Sequence, residues 1–233
     1  MLSRVGTFIS SSAATGEGRS LAAQLLGTET NGFAIHFLDM SMAVRDTTTP
    51  ANNYSGLSSA KLLGTSLNRV ATGLSLGASD NVYLPTSVFP YSTTAFSIIA
   101  KASSTALTNN APAALNLNGS YSLGAGALIR FQGASAVAVG GSLTSTTKTI
   151  SPSLSAGEMI KVGACFRTSD NSMSVTNRGL AVATITTGDW NGTSNRFQLG
   201  ALDSAGTQAL VGVLEWIVYL PRYDTAEIVS RTA

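Results

Sequence analysis

Covalent or acid–base catalysis needs a nucleophile, a base or paired carboxylates at a workable spacing, and this chain offers few of them. His36 is the single histidine and Cys165 the single cysteine. A histidine-dependent triad would have to use His36, yet no Gly-x-Ser-x-Gly elbow on a strand-to-helix turn supplies its nucleophile, so a structural role suits it better. Cys165 lies in an alternating run and reads most simply as a small inert residue, although Lys161 and Arg167 fall on its face and cations activate thiols. One cysteine allows neither an intrachain disulfide nor a thiolate-built metal cluster. Glycoside hydrolysis needs two carboxylates roughly 5 to 10 Å apart. No Glu-x-Asp-x-Glu string exists, and Glu215 stands alone in its strand, with Asp203 and Asp224 as its nearest acidic neighbours. A catalytic pair would need a partner from another strand. Gly16-Glu17-Gly18-Arg19-Ser20 is a poor phosphate loop, because the glycine spacing is wrong, Arg replaces the needed Lys and no strand precedes it.

Residues that could bind are easier to nominate. Trp190, between Asp189 and Asn191 in a loop, could stack on a sugar face or anchor a protein contact, or it could fold back onto the edge of the domain. Tyr121 and Tyr91 are weaker candidates of the same kind. Asp80 with Asn81, and Asp170 with Asn171, offer hard oxygen ligands from loops and so a possible calcium site, but each pair equally suits a turn. No other cofactor is indicated.

These residues must be positioned by strands. Phe96 to Lys101, Ala113 to Asn118, Ala127 to Phe131 and Ser135 to Val139 are short β-type runs divided by Gly, Asn and Ser clusters. From Met159 to Thr168 the pattern alternates: Ile160, Val162, Ala164 and Phe166 share one face, with Lys161, Cys165 and Arg167 on the other. Further strands are predicted at Met173 to Thr176, Leu180 to Thr186, Arg196 to Leu199 and Leu210 to Leu220, with Trp216 in the core. Asn177-Arg178-Gly179 brings Asn and Gly, which tolerate positive φ, to a tight hairpin. Pro221 halts the last strand, and Asp224 with Glu227 forms a capping-box pattern that opens a helical turn from Thr225 to Ser230. Residues 33 to 90 carry weaker periodicity and read as outer strands and long loops. Residues 1–32 read as an arm with one helical candidate, Arg19 to Leu26, either a flexible tail or a segment that docks on a neighbouring subunit; Met1 to Ala14 makes a poor export signal.

Composition narrows the partners. Charged residues are 11% of the chain against about 25% in ordinary domains, while Ser and Thr make up about a quarter, so hydroxyls and amides must cover the surface. With 44% apolar residues and a net charge of +2, disorder is excluded as the overall state. The arginines are scattered rather than clustered, which disfavours nucleic acid, and no run of 18 apolar residues is available for membrane insertion.

From Phe96 onward the order of segments resembles the laminin-G-like, concanavalin A-like jelly roll of bacteriophage structural proteins. The segments that carry it are Lys161 to Phe166, Ser174 to Gly179 before Ala181 to Thr184, Phe197-Gln198-Leu199-Gly200, and Val211 to Arg222 followed by Asp224 to Ile228. Family members show a strand, an Asn-Gly hairpin, a Leu-Gly strand and a final strand ending in Tyr before a turn containing Ala-Glu-Ile. Here Arg178 separates the Asn from the Gly. The resemblance covers residues 95–233 and implies an all-β antiparallel jelly-roll sandwich, preceded by the arm. It further implies a non-enzymatic virion structural protein, on the head or tail surface, serving as fibre, spike or baseplate adhesin or as capsid decoration. Its expected partners are other virion proteins through the arm, copies of itself, with a trimer as one form, and host surface glycan. A phage-borne glycosidase and a secreted lectin are the alternatives.

Overall fold

Apolar strands in this chain bury one face against a second sheet and, in part of the molecule, the other face against helices. The computed structural model describes residues 20–48, 54–55, 63–64, 68–77, 80, 82–118, 120, 126–132, 137–140, 147–150, 154–186, 190–201, 203–205 and 207–233. In chain order these form helix α1 (Leu21–Leu26) and strands β1 (Gly32–His36), β2 (Ser41–Arg45), β3 (Tyr54–Ser55), β4 (Leu63–Gly64), β5 (Asn68–Val70), β6 (Gly73–Leu76), β7 (Val82–Pro85) and β8 (Ala95–Ser104). They continue with β9 (Thr108–Asn116), β10 (Ala127–Gln132), β11 (Val137–Gly140), β12 (Thr147–Ile150), β13 (Ile160–Arg167), β14 (Ser172–Asn177), β15 (Ala183–Ile185), β16 (Arg196–Leu199), β17 (Gly212–Leu220) and helix α2 (Thr225–Thr232). Two antiparallel sheets result, a jelly-roll sandwich. One runs β15-β14-β13-β8-β17-β1-β2-β3, with β6 beside β17 and β5 beside β6; the other runs β12-β11-β10-β9-β16-β7-β4.

The alternation in β13 holds residue by residue. Ile160, Val162, Ala164 and Phe166 join the core between the sheets, whereas Cys165 enters a second apolar cluster on the outer face of the larger sheet. β17 divides likewise, with Leu214, Ile217 and Tyr219 inward and Trp216, Val218 and Leu220 outward. The inner core is strongly aromatic: Phe33 packs 4.6 Å from Phe89, and Phe96 stacks 4.6 Å from Phe166. Tyr219, fully buried among them, accepts a hydrogen bond from the Ser92 amide at 3.1 Å on its hydroxyl.

β1 corrects the reading of residues 33 to 90 as outer elements. It lies inside the larger sheet between β17 and β2, buried along its whole length. Its run Phe33-Ala34-Ile35-His36-Phe37 does not alternate in polarity because both faces are covered. Phe33, Ile35 and Phe37 meet the inter-sheet core, and Ala34 meets α1. The helix expected in the arm is present over six residues, capped by Ser20, whose hydroxyl accepts from the Ala23 amide at 3.3 Å. Rather than projecting, it packs on β1, β2 and β17 of its own chain through Ala22, Ala23 and Leu26. The rest of the arm lies outside the described residues.

At the other end α2 covers β13, β14 and β8. Asp224 caps it by accepting from the Glu227 amide at 2.9 Å. Ile228 rests directly over Gly163, where an added Cβ would lie 2.9 Å from the isoleucine Cβ. Glu29, just after α1, receives Arg222 at 2.5 and 2.9 Å and Arg231 of α2 at 3.3 Å, tying the two helices into one cover. At the β14 turn, the residues with positive φ are Arg178 (49°) and Gly179 (70°), and the Leu180 amide donates to the Asn177 carbonyl at 2.9 Å. Asn177 itself is buried, so the left-handed pair begins one residue later than its residue types indicated.

Candidate functional site

With one outward face capped by helices, the outward face of the smaller sheet is where backbone order can present side chains. In β16, Phe197 and Leu199 point into the core, which turns Arg196 and Gln198 outward. In β7 the core positions are Val82 and Leu84, leaving Tyr83 on the same outward side. Pairing sets Gln198 opposite both Tyr83 and Ala114, and Ala114 opposite Leu128 of β10. Arg196 sits opposite Asn116.

The Arg196 guanidinium carbon lies 4.3 Å from the centre of the Tyr83 ring, and both side chains are half-buried. Arg167, Arg178, Arg222 and Arg231 each contact a carboxylate. Arg45 and Arg69 donate to backbone carbonyls. Among the described residues Arg196 contacts no carboxylate, and its guanidinium stands over the Tyr83 ring. Next to it the buried amides of Asn116 and Gln198 lie in contact at 3.5 Å. The rim at this end is fixed by a reciprocal pair. The Asn118 amide N–H donates to the Asn195 side-chain oxygen, and the Asn195 side-chain amide donates back to Asn118, both at 2.7 Å. The Asn195 carbonyl in turn receives the Thr86 amide at 3.0 Å. A cation stacked on a phenol, with amides beside it, matches a polar, hydroxyl-bearing ligand better than an apolar one.

The residues nominated from sequence fall elsewhere. Trp190 is 4% exposed, its indole edge-on to Phe96 at 4.6 Å and its Nε1 donating to Ser194 Oγ at 3.3 Å. A ring packed on the core with its one donor satisfied has no face left for a sugar, which corrects its assignment as a stacking residue. Tyr91 stands edge-on to Phe89 and its hydroxyl donates to the Gly192 carbonyl at 3.1 Å; burial pushes its phenol up to about 12. It fastens the Trp190 loop and does not share the Arg196 face. Tyr121 and Asn81 lie outside the described residues.

The two loop carboxylates also have local duties. Asp80 accepts from the Gly77 amide at 2.7 Å, closing a turn. Asp170 is gripped by Arg167 at 2.9 and 2.5 Å and accepts from the Ser172 amide at 3.2 Å, while Asn171 takes φ 53° in the same turn. The Arg167 hydrogen bonds hold this exposed carboxyl down to about 2. A carboxylate already paired in this way is a poor start for a calcium site, and among the described residues no three His, Cys, Asp or Glu side chains gather as metal ligands.

Catalytic groups are similarly accounted for. Glu215 pairs with Lys101 at 2.7 Å, and Asp203 accepts from the Ala205 and Thr207 amides at 3.0 Å each within its own loop; Asp189 lies outside the described residues. Burial pushes the Cys165 thiol up to about 11, and its sulfur contacts Ser97 Oγ at 3.2 Å and the Asp224 carbonyl at 3.3 Å. The cations on its face are engaged, Lys161 by the Ala233 carbonyl and Arg167 by Asp170. Gly73-Leu74-Ser75-Leu76-Gly77 does spell Gly-x-Ser-x-Gly, but Ser75 sits within β6 and not on a strand-to-helix turn. Arg196, Gln198 and Tyr83 were not singled out from sequence, although the alternation in Arg196-Phe197-Gln198-Leu199 and Val82-Tyr83-Leu84 was there to be read.

No family model and no curated protein sequence matches this chain. Solved structures do resemble it in fold. The Trypanosoma rangeli sialidase in complex with the inhibitor DANA aligns with a TM-score of 0.53 at 15% identity, over 72% of this chain and 28% of that one. The carbohydrate-binding module CBM40 of the Ruminococcus gnavus IT-sialidase, bound to α2,3-sialyllactose, aligns with a TM-score of 0.48 at 11% identity, over 61% of this chain and 84% of that one. At such identities the likeness is one of β-sandwich architecture.

Proposed function

We propose that this chain is a non-enzymatic glycan-binding module, displayed on a tailed-phage virion, whose ligand meets the outward face of the smaller sheet. The observation that carries the reading is the Arg196–Tyr83 stack: a guanidinium held in place by an aromatic ring, without a carboxylate partner among the described residues, beside two amides. Such a cation favours glycans that bear a carboxylate over neutral ones, since a bidentate guanidinium–carboxylate bond is roughly twice as strong as a neutral hydrogen bond. The Trypanosoma rangeli protein named above is a sialidase, which makes sialosides the first ligands to try. Binding rather than hydrolysis is supported by the engagement of Glu215 with Lys101 and of Asp203 with its own loop. The virion setting is supported by the resemblance of residues 95–233 to phage jelly rolls and by the low charge of the chain.

A glycan array probed with the purified protein, with and without calcium, tests the first part. Signal on acidic glycans that is lost in Arg196→Ala and Tyr83→Ala is the expected result. An array silent under both conditions overturns glycan binding in favour of a scaffold role, and hydrolysis of an acidic oligosaccharide overturns the non-enzymatic assignment. Immunogold labelling of particles tests the second part: label on head or tail is expected, and its absence from both removes the virion assignment.

A further inference from the structure

The β1–β2 turn does more than reverse the chain. Asp39 in this turn receives the first amide of α1, Leu21 N–H, on Oδ2 at 2.9 Å. Its Oδ1 accepts from the Ser41 hydroxyl at 2.6 Å and the Ser41 amide at 3.2 Å. Ser41 Oγ in turn accepts the next helix amide, Ala22 N–H, at 2.9 Å. Two of the unsatisfied N–H groups that open α1 are therefore held by one carboxylate and the hydroxyl it orients. His36, 6% exposed at the end of β1 and opposite Trp216 in β17, closes the same turn: its Nδ1 accepts the Leu38 amide at 3.3 Å and lies 3.8 Å from Asp39 Oδ1.

We propose that His36 is an acid-sensitive latch that holds α1 on the larger sheet when neutral and releases it when protonated. The geometry sets the sign. Nδ1 can accept the Leu38 amide only while it carries a lone pair, so protonation there places two donors face to face and breaks that bond. The acceptor nearest the new N–H is Asp39 Oδ1, the atom that orients Ser41, so an ion pair with His36 draws Asp39 away from Ser41 and Leu21. The charged groups facing the imidazole are Asp39 from the turn, Glu215 from β17 and Lys101 from β8. The two carboxylates favour the cation, Lys101 opposes it, and burial opposes it most, which lowers the His36 pKa from its ordinary 6.5. A lowered folded-state value means that the stabilisation is complete above the ordinary value and is lost as pH falls through it toward the depressed one. Release would bare Ala34, Ala43 and Trp216, the apolar surface that Ala22, Ala23 and Leu26 now cover. This face is opposite the Arg196 face, so the latch stands apart from the glycan reading.

His36 is the only histidine, so its imidazole proton signals in an NMR titration of the full chain are unambiguous. They are expected to titrate below 6.5. Hydrogen exchange, corrected for intrinsic rates, is expected to show about a tenfold loss of protection for residues 20–27 along the same curve, with α2 unchanged. His36→Gln should make that protection independent of pH. Constant protection of α1 across the His36 titration overturns the proposal, as does parallel loss in α2, which signals general acid unfolding, or an undiminished pH response in His36→Gln. Should that variant fail to fold, the wild-type comparison of α1 with α2 decides alone.

Discussion

The two outward faces of this sandwich are built from similar strands yet differ in what lies on them. On the larger sheet, Ala34, Ala43, Ile99, Cys165, Trp216, Val218 and Leu220 form a second core under α1 and α2, whose ends are joined through Glu29, Arg222 and Arg231. On the smaller sheet, β7, β9 and β16 set Tyr83, Asn116, Arg196 and Gln198, oriented by ring stacking and amide contact, beside the buried apolar group of Ala114 and Leu128. Under α2 the outward positions are apolar or small hydroxyls such as Ser97, which donates to the Arg222 carbonyl at 2.7 Å. On the smaller sheet that side is mixed: Ala114, Leu128, Asn116 and Gln198 are buried, and Tyr83 and Arg196 are half-buried. On the proposed reading, the contrast separates stability from recognition by location.

The sharpest way to break this division is to compare substitutions across it. Trp190→Ala, in the inner core, is expected to cost about 3–5 kcal/mol in denaturant unfolding, because it removes an indole packed on Phe96. A loss under about 1 kcal/mol would show that Trp190 is not a core residue. Gly163→Val, under α2, should cost about 1–3 kcal/mol, since its Cβ meets Ile228 at 2.9 Å and forces the helix outward. Next in size is Glu29→Gln. Arg222 hydrogen bonds hold the Glu29 carboxyl below 4.5, so its contribution is present above that value and lost as pH falls through it. With Arg222 39% exposed, solvent screening keeps the effect near or below about 1 kcal/mol, and the variant should show a flatter acid limb in unfolding measured from pH 6 to 3. Arg196→Ala and Tyr83→Ala should change stability least, within about 0.5–1 kcal/mol, while weakening acidic-glycan binding about tenfold in titration calorimetry. Large destabilisation with unaltered binding would erase the distinction between the faces.

The legible parts were those in which one side-chain period has one cause. β13 and β16 alternate because each has a core face and a different outward face, and Asp224 with Glu227 marks α2 because an N-cap is a local interaction. β1 was less legible: two covered faces erase the alternation on which strand reading depends. Trp190 looked available because an aromatic flanked by polar residues is ambiguous until the loop's return path is known. Here Ser194 and Tyr91 draw that loop onto the sandwich.

What the sequence determined by itself, then, was the class of structure and the poverty of its catalytic groups, since strand period, turn residues, caps and the counts of His and Cys are all local or compositional. The candidate site was decided only by tertiary structure. Tyr83 and Arg196 are separated by over a hundred residues, and their contact depends on β7 and β16 pairing in one register, since a one-residue slip of either strand would turn its side chain into the core.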